Sequence, residues 1–180
     1  AIMDIVFILF PDLTQLDLTG PAQVLSRVPG ARLHYAATIA DPLPTDSGFA
    51  IVPTCTVDAV PGCDLLCVPG GRSVAPALGD ERLRGFLREA GASESHVTSV
   101  CTGAFLLGGA GLLAGRRATT HWAYTDLLPL VGATYEPGRV VRDGNVITAG
   151  GVTSGIDFGL TLLAELGDKT LAQATQLSLE

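Results

Sequence analysis

The sequence is poor in charged residues, and most of all in basic ones. Only 16% of its 180 residues are Asp, Glu, Lys or Arg, and 11 Lys and Arg stand against 18 Asp and Glu, for a net charge of −7. The pair Arg116–Arg117 is the largest basic cluster. Nucleic-acid binding through phosphates is therefore disfavoured. A small neutral or cationic ligand fits this charge better.

Cysteine and histidine are also scarce, with four and three residues. No two cysteines form a C-x-x-C pair, so we expect no zinc or other metal site and no cofactor. The apolar N-terminal stretch is short, is interrupted by Asp4 and follows no basic segment. We therefore expect no export signal, a cytoplasmic location and reduced thiols.

One uncharged stretch, residues 97–115, is long enough to cross a bilayer. It contains five glycines together with Thr98, Ser99, Cys101 and Thr102. This polar content disfavours insertion, so we expect no membrane partner.

Apolar runs that end in small residues recur along the chain and alternate with helical patterns. Strands are predicted at 3–10, 33–40, 49–57, 64–68, 96–100 and 145–149. A hairpin is predicted at 139–148, with its turn at Asp143-Gly144. Helices are predicted at 20–28 (with Thr19 as a possible cap), 80–91, 102–113, 122–130, 153–166 and 168–178. Strand, turn and helix in repetition predict one α/β domain over residues 1–180 with a mainly parallel central sheet.

Cys101 lies at one of these junctions, between a strand ending at Val100 and a helix beginning at Thr102 or Gly103. Such a nucleophile elbow directs a side chain toward the ligand crevice of an open sheet. Amide groups at a helix start favour a thiolate, so we expect a lowered pKa for Cys101. A merely buried, small cysteine explains the same local pattern, and both interpretations remain open from the residues alone.

Four segments together resemble the ThiJ/PfpI superfamily: FILFPDLTQLDLTGP (7–21), DLLCVPGG (64–71), SVCTGAFLLGGAGLLAGRRATTHW (99–122) and VVRDGNVITAGGVTSGIDFGL (140–160). The resemblance implies a flavodoxin-like three-layer sandwich, related to class I glutamine amidotransferases, that forms a homodimer. It also implies that Cys101 is the nucleophile. Within the superfamily, QLDLTGP, SVCTG and ATTHWAY are most similar to bacterial isocyanide hydratases.

Two positions separate the activities found among such proteins. Protease-like members carry a histidine directly after the elbow cysteine, where this chain has Thr102. Glyoxalase-type members place a glutamate near the thiol, and the shorter Asp17 stands at that position. Family members set an acid against the thiol, so the resemblance implies that Asp17 faces Cys101 and shares one proton with it. From the residues alone, a helix cap is the favoured interpretation of Asp17, and the resemblance reverses this preference.

The activity implied by the resemblance is hydration of an isocyanide to an N-substituted formamide. Cys101 would attack the terminal carbon to give a thioimidate, and Asp17 would supply a proton. We expect the amides of Gly71 and Thr102 to stabilise the developing anion. Further residues expected around the substrate are Gly70, Gly150, Val152 and His121, although a purely packed His121 is at least equally supported.

Two other functions remain open at this point. Similar domains form the amino-terminal half of AraC-type transcription regulators, but the sequence ends at Glu180 without a helix-turn-helix half. Alternatively, an accessible thiol at Cys101 could be oxidised in a redox or stress protein.

Overall fold

Eleven strands and six α-helices occur in the part of the chain that the computed structural model describes, residues 3–93, 95–166 and 169–179. The strands are β1 (Met3–Ile8), β2 (Ala31–Ala37), β3 (Leu43–Pro44), β4 (Ala50–Ile51), β5 (Cys55–Thr56), β6 (Leu65–Val68), β7 (His96–Val100), β8 (Arg117–Ala118), β9 (Thr134–Tyr135), β10 (Val140–Asp143) and β11 (Val146–Ala149). The α-helices are α1 (Gln15–Leu25), α2 (Val74–Leu78), α3 (Glu81–Ala92), α4 (Gly103–Gly109), α5 (Ser154–Leu166) and α6 (Lys169–Leu179). Two 3-10 helices cover Val57–Ala59 and Trp122–Val131.

Seven of the strands form one sheet, in the order β10-β11-β7-β6-β1-β2-β5. All its neighbouring strands are parallel except β10 and β11, which form the predicted antiparallel hairpin. Helix α1 packs against α5, and α5 against α6, while α4 packs against α2 and α3. These two groups of helices enclose the sheet and confirm the flavodoxin-like, three-layer α/β fold.

The order of the central strands determines where a ligand crevice can form. Strand β1 is buried on both faces, with Ile5, Val6 and Ile8 fully inaccessible to solvent, as expected for a strand between two helical layers. In the sheet, β2 lies on one side of β1, and β6, β7 and β11 follow one another on the other side. The crevice in such a sheet lies at the carboxyl ends of the strands where the order reverses, here between β1 and β6.

The first helix differs from its prediction in a way that affects the site. It begins at Gln15 rather than near residue 20, with Thr14 instead of Thr19 at its N-cap. The N–H of Gln15 donates to Asp46 Oδ1 at 3.0 Å, a partner from a distant loop that the local sequence does not reveal. Asp17 therefore lies in the first turn of α1 rather than in the loop before it.

Other element boundaries also differ from prediction. The strand predicted at 49–57 is divided into β4 and β5, with Pro53, which has no backbone N–H, between them. The segment predicted as a helix at 122–130 is a 3-10 helix containing Pro129, and α4 ends at Gly109 rather than at residue 113. The predicted start of the last helix, Asp168, lies outside the described residues. In the part of the chain described, no helix is both long and apolar enough to cross a membrane.

Gly103, the first residue of α4, allows the helix to approach β6 closely. A Cβ at this position would lie 2.3 Å from the carbonyl oxygen of Val68 and 2.7 Å from that of Pro69. We expect Gly103→Ala to lower the free energy of unfolding by at least about 2 kcal/mol, because backbone must move to admit the methyl group. Urea denaturation would measure the change.

Gly85, inside α3, provides a matched control because a Cβ there would meet nothing within 4 Å. Gly85→Ala should raise the free energy of unfolding by about 0.5–1 kcal/mol, since alanine loses less backbone entropy in a helix. Equal effects of the two substitutions would contradict the close contact at Gly103.

Candidate active site

Cys101 stands at a sharp turn between β7 and α4. Its φ angle is 57°, in the left-handed region that residues other than glycine adopt rarely and often at functional sites. Its N–H donates to the carbonyls of Ala149 (3.0 Å) and Gly150 (2.8 Å) at the end of β11. The predicted elbow is therefore present, and Thr102 is the N-cap residue of α4.

Asp17 reaches this turn from the first turn of α1. Two contacts hold the start of the helix to the loop after β6: Thr14 N–H donates to Gly70 O at 2.9 Å, and Gly70 N–H donates to Asp17 Oδ2 at 3.2 Å. The carboxyl interacts with the Cys101 thiol closely enough for hydrogen bonding to affect the pKa of Asp17. Its Oδ1 has no partner of ordinary hydrogen-bond geometry among the described residues. The structure thus brings the two predicted residues together.

The acid and the thiol are both buried, with 2% of Asp17 and 5% of Cys101 exposed. Burial raises the pKa of Asp17 to about 6, against the opposing effects of the Gly70 N–H and the Cys101 thiol. Burial and, to a smaller extent, the neighbouring Asp17 carboxylate together raise the pKa of Cys101 to about 12. The prediction of a lowered thiol pKa is therefore wrong, because these two effects exceed that of the Thr102 amide and hydroxyl. The pair holds one proton across the neutral pH range.

The glycine amides beside the pair are already engaged. Gly70 donates to Asp17, while Gly71 N–H donates to Thr102 Oγ1 at 3.0 Å. The Thr102 hydroxyl in turn donates to Gly71 O at 3.3 Å. The expected role of Gly71 as an open anion donor is thus not found, because a side chain occupies its N–H. The Thr102 N–H is directed instead at the Cys101 sulfur.

Gly70 has no space for a side chain, since a Cβ would lie 2.6 Å from Thr102 N and 2.9 Å from Cys101 Cβ. This close approach explains the glycine after β6 at the predicted position. It also allows the Asp17 carboxyl to come near the thiol.

Of the other predicted site residues, Gly150 contacts Cys101, whereas Val152 and His121 make their hydrogen bonds elsewhere. Gly150 contacts Cys101 through its carbonyl, and Val152 lies in the turn before α5, where its carbonyl accepts from Gly155 N–H at 3.3 Å. His121 Nδ1 accepts from Ala123 N–H at 3.1 Å, and its ring lies 5.4 Å from that of Trp122 and 5.6 Å from that of Tyr124. His121 thus caps the 3-10 helix, which agrees with the packed alternative.

Sequence reasoning missed Thr120, which is 2% exposed. Its Oγ1 donates to the carbonyl oxygen of Cys101 at 2.8 Å. The sequence signal for Thr120 is its place in the ATTHW segment, directly before His121. Nothing in the local pattern indicates a contact with a residue 19 positions earlier.

A cavity of about 310 Å³ lies next to the elbow. Gly71 and Thr102 form part of it, and Val74, Leu78, Phe105 and Leu127 supply apolar walls; Cys101 itself is not among its lining residues. An apolar space beside the reacting group suits an uncharged substrate. Within the described ranges, no cluster of three or more His, Cys, Asp or Glu residues could hold a metal ion.

Comparisons with known proteins identify several relatives of this chain. The chain is 50% identical over 178 residues to an isonitrile hydratase from Pseudomonas putida, covering 99% of the chain and 78% of that protein. A crystal structure of a ThiJ/PfpI family protein from Pseudomonas syringae superposes with a TM-score of 0.96 at 41% identity, covering 99% of this chain and 74% of that one. The transcriptional regulator CdhR from Pseudomonas aeruginosa is 32% identical over 149 residues, 78% of this chain and 42% of the regulator.

The model of one protein family, the DJ-1/PfpI family, matches residues 3–165. This range contains the elbow, the acid opposite it and all seven strands of the central sheet. The sequence segments, the strand order and the family match lead to the same conclusion: the chain belongs to the DJ-1/PfpI family.

Proposed function

We propose that this chain hydrates an isonitrile, R–N≡C (also called an isocyanide), to the formamide R–NH–CHO. The observation that carries the proposal is the buried pair of Asp17 and Cys101, an acid and a thiol brought together at the elbow. The 50% identity to a protein named isonitrile hydratase supports the choice of substrate.

The first half-reaction joins the substrate to the enzyme. The terminal carbon of an isonitrile accepts both the nucleophile and a proton. Cys101 Sγ forms the new S–C bond as its proton passes to the Asp17 carboxylate. Asp17 then delivers that proton to the carbon, which gives the thioimidate R–N=CH–S–Cys101. The proton already shared by the pair is sufficient for this step.

The second half-reaction consumes one water. Water adds to the thioimidate carbon, and Asp17 moves the proton that water releases to the nitrogen. The C–S bond then breaks as the hydroxyl group on the carbon loses its proton to form the carbonyl; this proton returns to the sulfur, and R–NH–CHO leaves. Because the reaction is divided into two additions, each step has a lower barrier than a direct attack by neutral water on the isonitrile.

The surrounding groups hold the pair in place during both steps. Gly70 N–H fixes Asp17 Oδ2 and leaves Oδ1 as the oxygen available for proton transfer. The Thr102 N–H favours negative charge on the sulfur and so assists its attack. Gly71 acts through Thr102, whose hydroxyl it orients.

The two alternative functions have less support. The similarity to regulators is lower, at 32% identity for CdhR, and covers only 42% of that protein. A redox role needs an accessible, readily ionised thiol. Cys101 is 5% exposed, and burial raises its pKa to about 12.

We further propose that the chain forms a homodimer in the reducing cytoplasm. The four cysteines are all free, which suits a reducing compartment. Trp122 is 79% exposed and Leu130 81% exposed on the same 3-10 helix, and such apolar exposure suits an interface between subunits. Sedimentation equilibrium at micromolar concentration should give twice the mass of the chain.

Incubation with a simple aliphatic isonitrile and with an aromatic one tests the activity. We expect stoichiometric conversion to the formamide, with the isonitrile carbon followed by ¹³C NMR. A solution without protein measures spontaneous hydration. If a panel of aliphatic and aromatic isonitriles is consumed no faster than in that control, the proposed activity is wrong.

A further inference from the structure

Thr120 is placed to control the backbone of the elbow without touching the substrate. It follows β8, in a loop held to the central sheet by the hydrogen bond from Thr119 N–H to Thr148 Oγ1 at 2.8 Å. From this loop the Thr120 side chain is buried against the turn, and its hydroxyl donates to Cys101 O at 2.8 Å. The residue next to the contact with β11 thus holds the residue that follows β7.

Cys101 needs such support because its backbone conformation is unfavourable. A side chain at φ 57° crowds the following carbonyl, so the conformation persists only when neighbouring contacts fix it. The N–H of Cys101 is fixed by Ala149 and Gly150, and its carbonyl accepts from Thr120. Both polar groups of the strained residue are therefore tied to β11 and to the loop anchored on it.

We propose that Thr120 is a positioning residue whose hydroxyl, through the Cys101 carbonyl, keeps the sulfur directed at the Asp17 carboxyl. Without this hydrogen bond the carbonyl is a buried acceptor that has lost its donor, and the turn can relax toward an ordinary backbone conformation. Relaxation rotates the Cα–Cβ bond and moves Sγ away from Asp17. Displacements of about 1 Å at a reacting group can lower a rate on the order of a hundredfold.

Thr120→Val and Thr120→Ser form the matched pair that tests this role. Valine keeps the shape of threonine and removes the hydroxyl, whereas serine keeps the hydroxyl and removes the methyl group. As the proposal rests in part on the proposed function, one expectation concerns turnover: Thr120→Val should lower kcat for isonitrile hydration about 10- to 100-fold with little change in KM. Thr120→Ser should retain most of the activity.

A second readout does not depend on any isonitrile. The rate at which iodoacetamide alkylates Cys101, followed by peptide mass spectrometry as a function of pH, reports how strongly the thiol is coupled to Asp17. In Thr120→Val the midpoint should move to lower pH, because the sulfur no longer faces the carboxylate that opposes its ionisation. Thr120→Ser should keep the wild-type midpoint.

Thr98→Val controls for the simple loss of a buried hydroxyl. Thr98 is fully buried in β7, and its hydroxyl donates to Leu66 O at 2.7 Å rather than to Cys101 or to the loop that carries Thr120. Thr98→Val should lower stability without moving the alkylation midpoint. If Thr120→Val does not fold, Thr120→Ala carries the same expectations.

The outcomes separate the two proposals. An unchanged alkylation midpoint and kcat in Thr120→Val, an equal loss in Thr120→Ser, or an equal midpoint shift in Thr98→Val would overturn the role of Thr120. A wild-type protein that hydrates no isonitrile would refute the proposed function, while the alkylation profiles would still decide the role of Thr120.

Discussion

Replacement of Cys101 by alanine is expected to lower the rate of isonitrile hydration at least about a thousandfold. The account assigns the S–C bond to this residue, and removal of a covalent nucleophile leaves only substrate binding and general electrostatic effects. Serine should not restore the activity, since its hydroxyl is a far weaker nucleophile and the carboxyl beside it is a modest base. Formamide release measured at several substrate concentrations would give kcat and KM for each variant.

Cys55→Ser provides the matched control for the loss of a thiol. Cys55 lies in the edge strand β5, is partly exposed and is free. Its substitution should leave both kinetic constants close to those of the wild type. A Cys101→Ala variant with wild-type turnover would rule out the covalent route.

Replacement of Asp17 by asparagine is expected to lower kcat about 10²- to 10⁴-fold, the range for loss of a positioned acid or base. The pH dependence should change as well. With the pKa of Asp17 raised to about 6 by burial, the wild-type kcat/KM should fall below about pH 6, where the protonated carboxyl can no longer accept the thiol proton. This acidic limb should be absent from Asp17→Asn, because the amide does not titrate.

The same substitution should stabilise the protein at neutral pH. A carboxyl whose pKa is raised on folding contributes stability below its unfolded-state pKa of about 3.9, and that contribution is lost as the pH rises through about 6. At pH 7.5 the buried carboxylate therefore opposes folding. A pKa difference of one unit between the folded and unfolded states corresponds to about 1.4 kcal/mol. The free energy of unfolding of Asp17→Asn at pH 7.5 should therefore exceed that of the wild type by up to about 2–3 kcal/mol.

Thermal unfolding from pH 3.5 to pH 8 would measure this gain, which should raise Tm by about 5–10 °C at pH 7.5 and disappear below pH 4. Asp126→Asn serves as a control, because Asp126 is exposed on the 3-10 helix and should change Tm little. Lower stability of Asp17→Asn at pH 7.5 would contradict a buried charge at this position. A buried carboxylate that lowers the stability of the fold is expected at a position where function, rather than stability, determines the residue.

The elbow was predictable from sequence because its determinants are local. A buried strand, one cysteine and a small residue follow one another at 96–103, and such a pattern is compatible with few backbone conformations. The parallel sheet and the β10–β11 hairpin were predictable for the same reason, since hydrophobic runs and turn residues mark them. The approach of Asp17 to Cys101 was inferred from the family resemblance, and the structure shows that it occurs.

The remaining features depend on contacts between residues far apart in the chain. The pKa of Cys101 follows from burial and from a carboxylate 84 positions earlier, and these outweigh the local helix amides that the sequence suggests. The N–H of Gly71 is occupied by a hydroxyl 31 positions later. The start of α1 depends on Asp46, 31 positions after Gln15. Local pattern contains no information about such partners.

The most direct test is the mass of the protein quenched with acid during turnover of an isonitrile. We expect a species heavier by the full mass of the substrate, located on the peptide that contains Cys101 and lost once the substrate is consumed. Formation of formamide without this species, or its appearance on a different cysteine, would contradict the thioimidate at Cys101.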